Sequence, residues 1–307
     1  MKTSIFTFPG QGSQSLGMLA DIAKNYPEIL VTFQEASDAL GYDVWKLIQQ
    51  GPVDRLNQTE YTQPAILATS MALYRLVSPR LDAPKFMAGH SLGEYTALVA
   101  ADVVDFADAL QLVQKRGQYM QQAVPEGIGA MAAIIGLDDQ SIIEACQSTA
   151  LEQVVQAVNF NSPGQVVIAG NKEAVERAMV LCKEKGAKRA LPLPVSVPSH
   201  CSLMIQAAEK LALDLAKLQF RAPKVPVINN VNVTCPSDPS EIKEALRMQL
   251  FSPVRWTETI AFAHQQGVET CYECGPGKVL TGLSKRIVKG INGQHFGDLS
   301  GLSAIQL

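Results

Sequence analysis

A strand, a tight turn and a helix are predicted in residues 84–101, whose sequence is PKFMAGHSLGEYTALVAA. Pro84–Ala88 is a short apolar run of strand length, and Leu92–Ala101 reads as a helix. Between them, residues 89–93 (GHSLG) match G-x-S-x-G, in which a sharp turn raises a serine between a strand and a helix. The free N–H groups that begin such a helix can stabilise an oxyanion. We therefore predict that Ser91 is a nucleophile that carries an acyl group; the alternative is an ordinary turn capped by Ser91.

A serine nucleophile needs a base, and the chain has four histidines. His90 adjoins Ser91 in sequence, so its side chain is expected to diverge from the serine. His264 lies on a polar helix face, and His295 lies in a glycine-rich tail. His200 stands at a loop-to-helix junction, where functional histidines are often held. We predict His200 as the base, against the alternative of a polar residue near a helix start. Spacing picks out no Asp or Glu behind it, so a carbonyl could orient the imidazole instead.

Arg116 lies in the apolar stripe of a predicted helix, Asp105–Ala123. A guanidinium turned inward needs an anionic partner. The helix after Ser91 runs out and this one runs back, each for on the order of 15 Å before Arg116 is reached. Arg116 could thus return to Ser91 and bind a substrate carboxylate through two hydrogen bonds. The alternative is an internal salt bridge to Asp or Glu.

A glycine-rich loop, Phe8–Gln14 (FPGQGSQ), follows the apolar strand Ser4–Phe8. It is not G-x-G-x-x-G and lacks the lysine of a P-loop, so it gives weak support to a nucleotide site. We predict instead that Gln11 supplies an N–H donor to the oxyanion. The alternative is a plain tight turn.

Strands alternate with helices along most of the chain, which predicts an α/β fold with a mainly parallel, helix-covered sheet. The pattern changes between Ala130 and Ser196 to strand, helix, strand, strand, helix, strand, the βαββαβ order of a ferredoxin-like unit. We interpret residues 127–197 as a small domain inserted into a large domain of residues 1–126 and 198–307. Individual expectations include helices over Pro64–Val77 and Ser202–Leu218 and a proline-containing edge strand over Arg189–Val195.

Composition narrows the class of protein. The 307 residues are 47% hydrophobic and 18% charged, with a formal net charge of -3, which suits a large core and disfavours broad nucleic-acid binding. No segment approaches the ~20 apolar residues of a membrane span. Of six cysteines only Cys271 and Cys274 are closely spaced, so we expect buried free thiols and no metal site. Scattered thiols suit a reducing compartment, and a cytoplasmic location is expected.

Seven segments spread over nearly the whole chain together resemble the malonyl-CoA:acyl carrier protein transacylase family of bacterial type II fatty acid synthesis. They are Phe8–Gln14, Gly89–Leu98 (GHSLGEYTAL), Arg116–Met120 (RGQYM), Val158–Gly170 (VNFNSPGQVVIAG), Val195–Cys201 (VSVPSHC), Gln249–Trp256 and Gly275–Leu283 (GPGKVLTGL). Thr96 stands where the family more often has serine, and we see no consequence.

The resemblance implies an α/β-hydrolase-like large domain with an inserted ferredoxin-like domain. It also implies a role for each matching residue: Ser91 as nucleophile, His200 as its partner, Arg116 as holder of the malonyl carboxylate, Gln11 and the Leu92 N–H as oxyanion hole, and the Gln249 backbone carbonyl as the group that orients the histidine.

The implied reaction moves a malonyl group from coenzyme A to the phosphopantetheine thiol of acyl carrier protein through a malonyl-serine, in ping-pong order and without a cofactor of the enzyme's own. Basic residues that could meet an acidic carrier are Lys183, Lys185, Lys188, Arg189, Lys285, Arg286 and Lys289; the alternative is ordinary solvated surface. Rival readings are a serine hydrolase or thioesterase, a discrete acyltransferase of a polyketide synthase or malonate decarboxylase, and a carrier-binding protein with a dead site.

Overall fold

The computed structural model describes residues 3–125, 127–195 and 197–305. These residues form nine strands: β1 Ser4–Phe8, β2 Phe86–Gly89, β3 Gly129–Ile135, β4 Val155–Ser162, β5 Gln165–Asn171, β6 Arg189–Pro192, β7 Val227–Ile228, β8 Thr270–Glu273 and β9 Asn292–His295. The same residues form fourteen α-helices: α1 Ala20–Asn25, α2 Ile29–Leu40, α3 Val44–Gln50, α4 Val53–Leu56, α5 Thr59–Val77, α6 Gly93–Ala100, α7 Phe106–Ala123, α8 Asp139–Ala150, α9 Lys172–Glu184, α10 Ile205–Leu215, α11 Pro239–Gln249, α12 Trp256–Gln265, α13 Val279–Ile287 and α14 Leu299–Leu302.

Five strands form a parallel sheet in the order β7-β2-β1-β8-β9. The central strand β1 is buried along its whole length. Phe8 at its end lies beside Gly89 at the end of β2, so the loops after these two strands meet at one edge. The predicted α/β architecture with a mainly parallel sheet is confirmed.

Four strands form a second, antiparallel sheet in the order β4-β5-β3-β6. The chain enters this sheet after α7 and runs through it in the order β3-α8-β4-β5-α9-β6. The helices α8 and α9 pack against each other and against the sheet, around a core that includes Ile134, Ile142 and Val175. Strand β6 lies at an edge, as its prolines predict, but it ends at Pro192 instead of Val195. Pro194 has no N–H to extend the ladder.

A short segment before α12 joins the two sheets. The Val254 N–H donates to the carbonyl of Val158 at 2.8 Å, and the Phe160 N–H donates to the carbonyl of Val254 at 3.0 Å. The Thr257 hydroxyl adds a 2.9 Å bond to the Phe160 carbonyl. These bonds hold β4 against the start of α12, and the Arg255 N–H ties the same segment to the loop after β7 through the Asn230 carbonyl at 3.1 Å.

Three further elements differ from the sequence expectations. Helix α5 begins at Thr59, five residues before Pro64, because its first turns are buried and tertiary packing outweighs one lost backbone hydrogen bond. The helix expected over Ser202–Leu218 is a 3₁₀ turn, Ser202–Met204, followed by α10, which ends at Leu215. The strand β9 has a polar sequence without hydrophobic alternation, so the sequence pattern did not predict it.

Within the described residues, no helix combines the length and apolar character needed to cross a bilayer. The six thiols are free: five are buried, and Cys235 is half-buried.

Candidate active site

The turn after β2 holds Ser91 in a strained conformation. Its φ is 52°, in the left-handed region that non-glycine residues rarely adopt. The turn is tight enough to need glycine on both sides. A Cβ on Gly89 would lie 1.8 Å from the carbonyl carbon of Gly93, and a Cβ on Gly93 would lie 2.0 Å from the carbonyl oxygen of Phe8. Such local strain, held by surrounding packing, is typical of functional sites.

The histidine that reaches Ser91 is His200. Its Nε2 lies 2.7 Å from the Ser91 Oγ, and its Nδ1 lies 2.7 Å from the backbone carbonyl of Gln249. Because a carbonyl only accepts hydrogen bonds, Nδ1 carries the proton and Nε2 is free to accept one from the serine. Burial lowers the pKa of His200 to about 3, and the positive charge of Arg116 adds to the effect. His200 is therefore neutral and ready to act as a base at physiological pH.

The other three histidines have different partners. His90 points away from Ser91, with its Nε2 2.7 Å from the Asn161 Oδ1. His264 is exposed and contacts the carbonyl of Val268, and His295 contacts Asp298.

Arg116, on α7, brings a charged side chain to Ser91. Its side chain is almost fully buried, and its Nη2 donates to the Gln249 Oε1 at 3.0 Å and to the Ser91 Oγ at 3.4 Å. Its guanidinium also lies over the Tyr95 ring, 5.3 Å from the centroid. Among the described residues, the Arg116 Nε has no hydrogen-bond partner, and the guanidinium forms no ion pair with an Asp or Glu side chain. The internal salt bridge is therefore not observed, and the fork has donor capacity for an anion.

One cavity of about 110 Å³ opens at Ser91. The loops and helices around the parallel sheet contribute Gln11, His90, Ser91, Leu92, Arg116, Met120, Val197, Ser199 and His200 to its wall. The segment 127–195 contributes Met131, Asn159, Leu193 and Val195. The cavity thus lies between the two sheets.

Two backbone N–H groups on this wall are candidates for holding an oxyanion. Leu92 caps α6, and neither its N–H nor that of Gln11 has an acceptor in the part of the chain that the structure describes. The Ser91 N–H is already used, since it donates to the Asn230 Oδ1 at 2.8 Å. The Gln11 side chain is exposed and donates a long 3.4 Å hydrogen bond to the Thr59 hydroxyl.

A buried polar network lies behind the wall, and no sequence pattern predicted it. Glu94, fully enclosed on α6, accepts from the Asn230 N–H at 3.0 Å and from the Gln249 Nε2 at 2.8 Å. Burial raises the pKa of Glu94 to about 7, against the opposing effects of these hydrogen bonds and of Arg116. The available signal was a carboxylate three residues after Ser91 on a helix whose neighbouring side chains are apolar. Asn230 offered no such signal.

The seven basic residues singled out above are all exposed. Arg286 donates to the Gln165 Oε1 at 2.8 Å, which places α13 next to the start of β5. Gln165 pairs with Ile135, which in turn pairs with Arg189 on β6. The basic residues between positions 183 and 189 and those at positions 285–289 therefore lie at the same end of the second sheet. Among them, Lys185 forms a 3.8 Å ion pair with Glu144.

Within residues 3–125, 127–195 and 197–305, no group of three or more His, Cys, Asp or Glu side chains is arranged to hold an ion.

Comparison with known proteins places this geometry in a family. The acyl transferase domain model matches residues 5–295. The malonyl CoA-acyl carrier protein transacylase of Escherichia coli (strain K12) is 62% identical over 97% of both chains, and that of Bacillus subtilis (strain 168) is 45% identical over 94% of this chain and 91% of the relative.

Solved structures agree. An acyl carrier protein S-malonyltransferase from Vibrio cholerae superposes with a TM-score of 0.96 at 61% identity, covering 98% of this chain and 99% of that one. A malonyl-transacylase in complex with a type II polyketide synthase acyl carrier protein has a TM-score of 0.97 at 57% identity, covering 98% of both chains. The chain belongs to the acyl transferase domain family and, within it, to the malonyl-CoA:acyl carrier protein transacylases.

Proposed function

We propose that this chain is a malonyl-CoA:acyl carrier protein S-malonyltransferase of fatty acid biosynthesis. The observation that carries the proposal is the meeting of three side chains: the Ser91 Oγ lies 2.7 Å from a neutral His200 Nε2 and 3.4 Å from the guanidinium of Arg116. A nucleophile with its base beside a buried anion-binding fork suits an acyl group that ends in a carboxylate.

In the first half-reaction, Ser91 attacks the thioester carbonyl of malonyl-CoA. His200 Nε2 takes the Ser91 proton as the bond from Oγ to carbon forms. The developing oxyanion is held by the backbone N–H groups of Leu92 and Gln11. The C–S bond then breaks, and His200 returns its proton to the departing coenzyme A thiolate. Arg116 holds the malonyl carboxylate throughout, and the Gln249 carbonyl keeps the imidazole in one tautomer.

In the second half-reaction, the phosphopantetheine thiol of acyl carrier protein replaces coenzyme A. His200 takes the thiol proton, the thiolate attacks the malonyl-serine ester, and the proton returns to Ser91 as the ester bond breaks. Every proton and bond in both steps is supplied by the substrates and by these side chains, so the proposal requires no further cofactor. The basic groups around Arg189 and Arg286 suit an acidic carrier.

The finer description of the fold is part of the proposal. We assign residues 1–126 and 198–307 to an α/β-hydrolase-like domain and residues 127–197 to an inserted ferredoxin-like domain. The strand order β4-β5-β3-β6 with two helices on one face supports the second assignment. Glu126 and Ser196, near the two boundaries, lie outside the described residues. The cytoplasmic location stays a prediction.

The proposal is tested by intact-protein mass spectrometry after mixing with malonyl-CoA. A malonyl adduct is expected on the wild-type protein and not on Ser91→Ala. Addition of holo acyl carrier protein should then discharge the adduct onto the carrier. Absence of an adduct under trapping conditions would remove the proposal, and release of free malonate without carrier-dependent transfer would favour a hydrolase.

A second candidate function is malonyl transfer to the acyl carrier protein of a polyketide synthase. It is favoured by the relative that is 57% identical and was solved with a type II polyketide synthase carrier. The discharge step, repeated with a fatty acid carrier and a polyketide carrier at equal concentration, separates the two by the ratio of their kcat/KM values.

A further inference from the structure

Glu94 supplies a carboxylate to the network behind the cavity, and it does not line the cavity itself. Its side chain is 2% exposed. A buried carboxylate carries a large desolvation cost, which hydrogen bonds from well-placed donors offset. Both donors, the Asn230 N–H and the Gln249 side-chain amide, meet the same oxygen, Oε2.

The first donor leads to the nucleophile. The side chain of Asn230 brackets the Ser91 turn from both ends: its Oδ1 accepts from the Ser91 N–H at 2.8 Å, and its Nδ2 donates to the Gly89 carbonyl at 2.7 Å. The turn between them holds Ser91 at a positive φ, so it needs contacts that oppose its relaxation. Glu94 fixes the backbone of the residue that supplies this bracket.

The second donor leads to the arginine. The Gln249 amide donates to Glu94 and to the Ser91 carbonyl at 3.0 Å, while its Oε1 accepts from Arg116 at 3.0 Å. An amide can present only its oxygen to a guanidinium, so the bond to the Glu94 carboxylate selects the amide orientation that Arg116 requires. The same residue accepts from His200 through its backbone carbonyl.

We propose that Glu94 is a positioning residue of the acyl-transfer site, acting through two arms that meet at its Oε2. The Asn230 arm fixes the Ser91 turn, and the Gln249 arm fixes the orientation of the Arg116 fork. Glu94 touches neither the substrate nor the reacting atoms. The inference rests on the proposed malonyl transfer, because its readouts are the rate of serine acylation and the preference for a carboxylated acyl group.

The test compares Glu94→Leu, which removes the acceptor, with Glu94→Gln, which keeps an acceptor oxygen and removes the charge. Single-turnover formation of acyl-serine is measured at saturating malonyl-CoA and acetyl-CoA. Glu94→Leu should acylate about 100-fold more slowly and lose about tenfold of its preference for malonyl. Glu94→Gln should stay within about fivefold of the wild-type rate.

Glu273 supplies a matched control. It is another buried carboxylate, at the end of the short strand β8, and it accepts hydrogen bonds from the backbone N–H groups of Leu280 and Thr281 at the start of α13. Glu273→Gln should leave the acylation rate and the malonyl preference per folded molecule unchanged. Folded fractions are matched by circular dichroism before rates are compared.

A third variant tests the Asn230 arm separately from the Gln249 arm, and it replaces Glu94→Leu if that variant does not fold. Asn230→Asp places an acceptor against the Gly89 carbonyl, so it should slow acylation by about tenfold while the malonyl preference stays at the wild-type value. The inference is overturned if folded Glu94→Leu acylates at the wild-type rate, if Glu94→Gln is as slow as Glu94→Leu, or if Asn230→Asp has no effect. A wild-type protein that forms no malonyl-serine would instead remove the proposed function itself.

Discussion

The cavity at Ser91 has two unlike walls. The wall built around the parallel sheet is polar and presents Ser91, His200 and Arg116. The opposite wall comes from the segment 127–195 and presents mainly apolar side chains, among them Met131 and Leu193. A polar wall positions charge and protons, whereas an apolar wall keeps water away from a reactive ester and strengthens the electrostatics beside it. The comparison suggests that acylation and protection of the acyl-serine depend on different parts of the chain.

The largest loss of activity is expected from His200→Ala, which removes the proposed base from the polar wall. Without its base, Ser91 should form malonyl-serine about 10⁴-fold more slowly, measured by quenched single turnovers with malonyl-CoA. His264→Ala, at an exposed histidine, is the control and should match the wild type. A loss of less than about tenfold would contradict the assignment of the base.

Arg116→Ala tests the charge on the same wall. Malonyl transfer should fall by on the order of 10²–10³, while acetyl transfer becomes relatively better, because only the malonyl group has a carboxylate to pair with the guanidinium. The measurement is kcat/KM for malonyl-CoA against acetyl-CoA. Arg75→Ala, which removes a surface guanidinium paired with Glu35, is the control. An unchanged malonyl preference would make the role of Arg116 structural.

The pH dependence tests the environment that the two walls create together. A histidine of ordinary pKa near 6.5 would be mostly protonated at pH 5, and its base function would drop about 30-fold. Burial lowers the pKa of His200 to about 3, so the imidazole stays almost entirely neutral at pH 5 and above. The acylation rate should therefore remain nearly flat between about pH 8 and pH 5 in single-turnover measurements. An acid limb of about 30-fold with a midpoint near 6.5 would show that His200 is more hydrated than its burial implies. Protonation of Glu94, whose pKa burial raises to about 7, should change the rate by no more than about fivefold, as in Glu94→Gln.

The smallest effect is expected from the apolar wall. Leu193→Asn should admit water and raise malonate release from the malonyl-serine several-fold, with little change in the rate of acylation. Leu191, two residues earlier on β6, is 44% exposed and does not line the cavity, so Leu191→Asn is the matched control. Equal malonate release from both variants would place the barrier to water elsewhere.

Local patterns allowed the polar wall to be predicted in outline. The G-x-S-x-G turn identified Ser91, helical spacing placed Arg116 on the inward side of α7, and elimination among four histidines left His200. These inferences depend on neighbours in sequence or on rare residue types. The same is true of the parallel sheet, whose strands are short apolar runs between helices.

Long-range polar contacts could not be predicted in this way. Asn230 meets Ser91 across 139 residues, and Gln249 meets Arg116 across 133. Neither residue stands out by spacing or composition; the resemblance pointed to the Gln249 carbonyl but not to its side chain. The predicted start of α5 at Pro64 was wrong, because packing of the buried helix compensates for the backbone hydrogen bond that the proline removes.

The carbonyl that orients His200 belongs to the main chain of Gln249. Every amino acid, proline included, carries that oxygen, so no amino-acid substitution at position 249 can delete it. Alanine scanning would measure the loss of the Gln249 amide and leave the orienting acceptor in place. The third member of the proposed catalytic group is thus protected from substitution because it is part of the main chain, and only a shift of the backbone at the end of α11 would remove it.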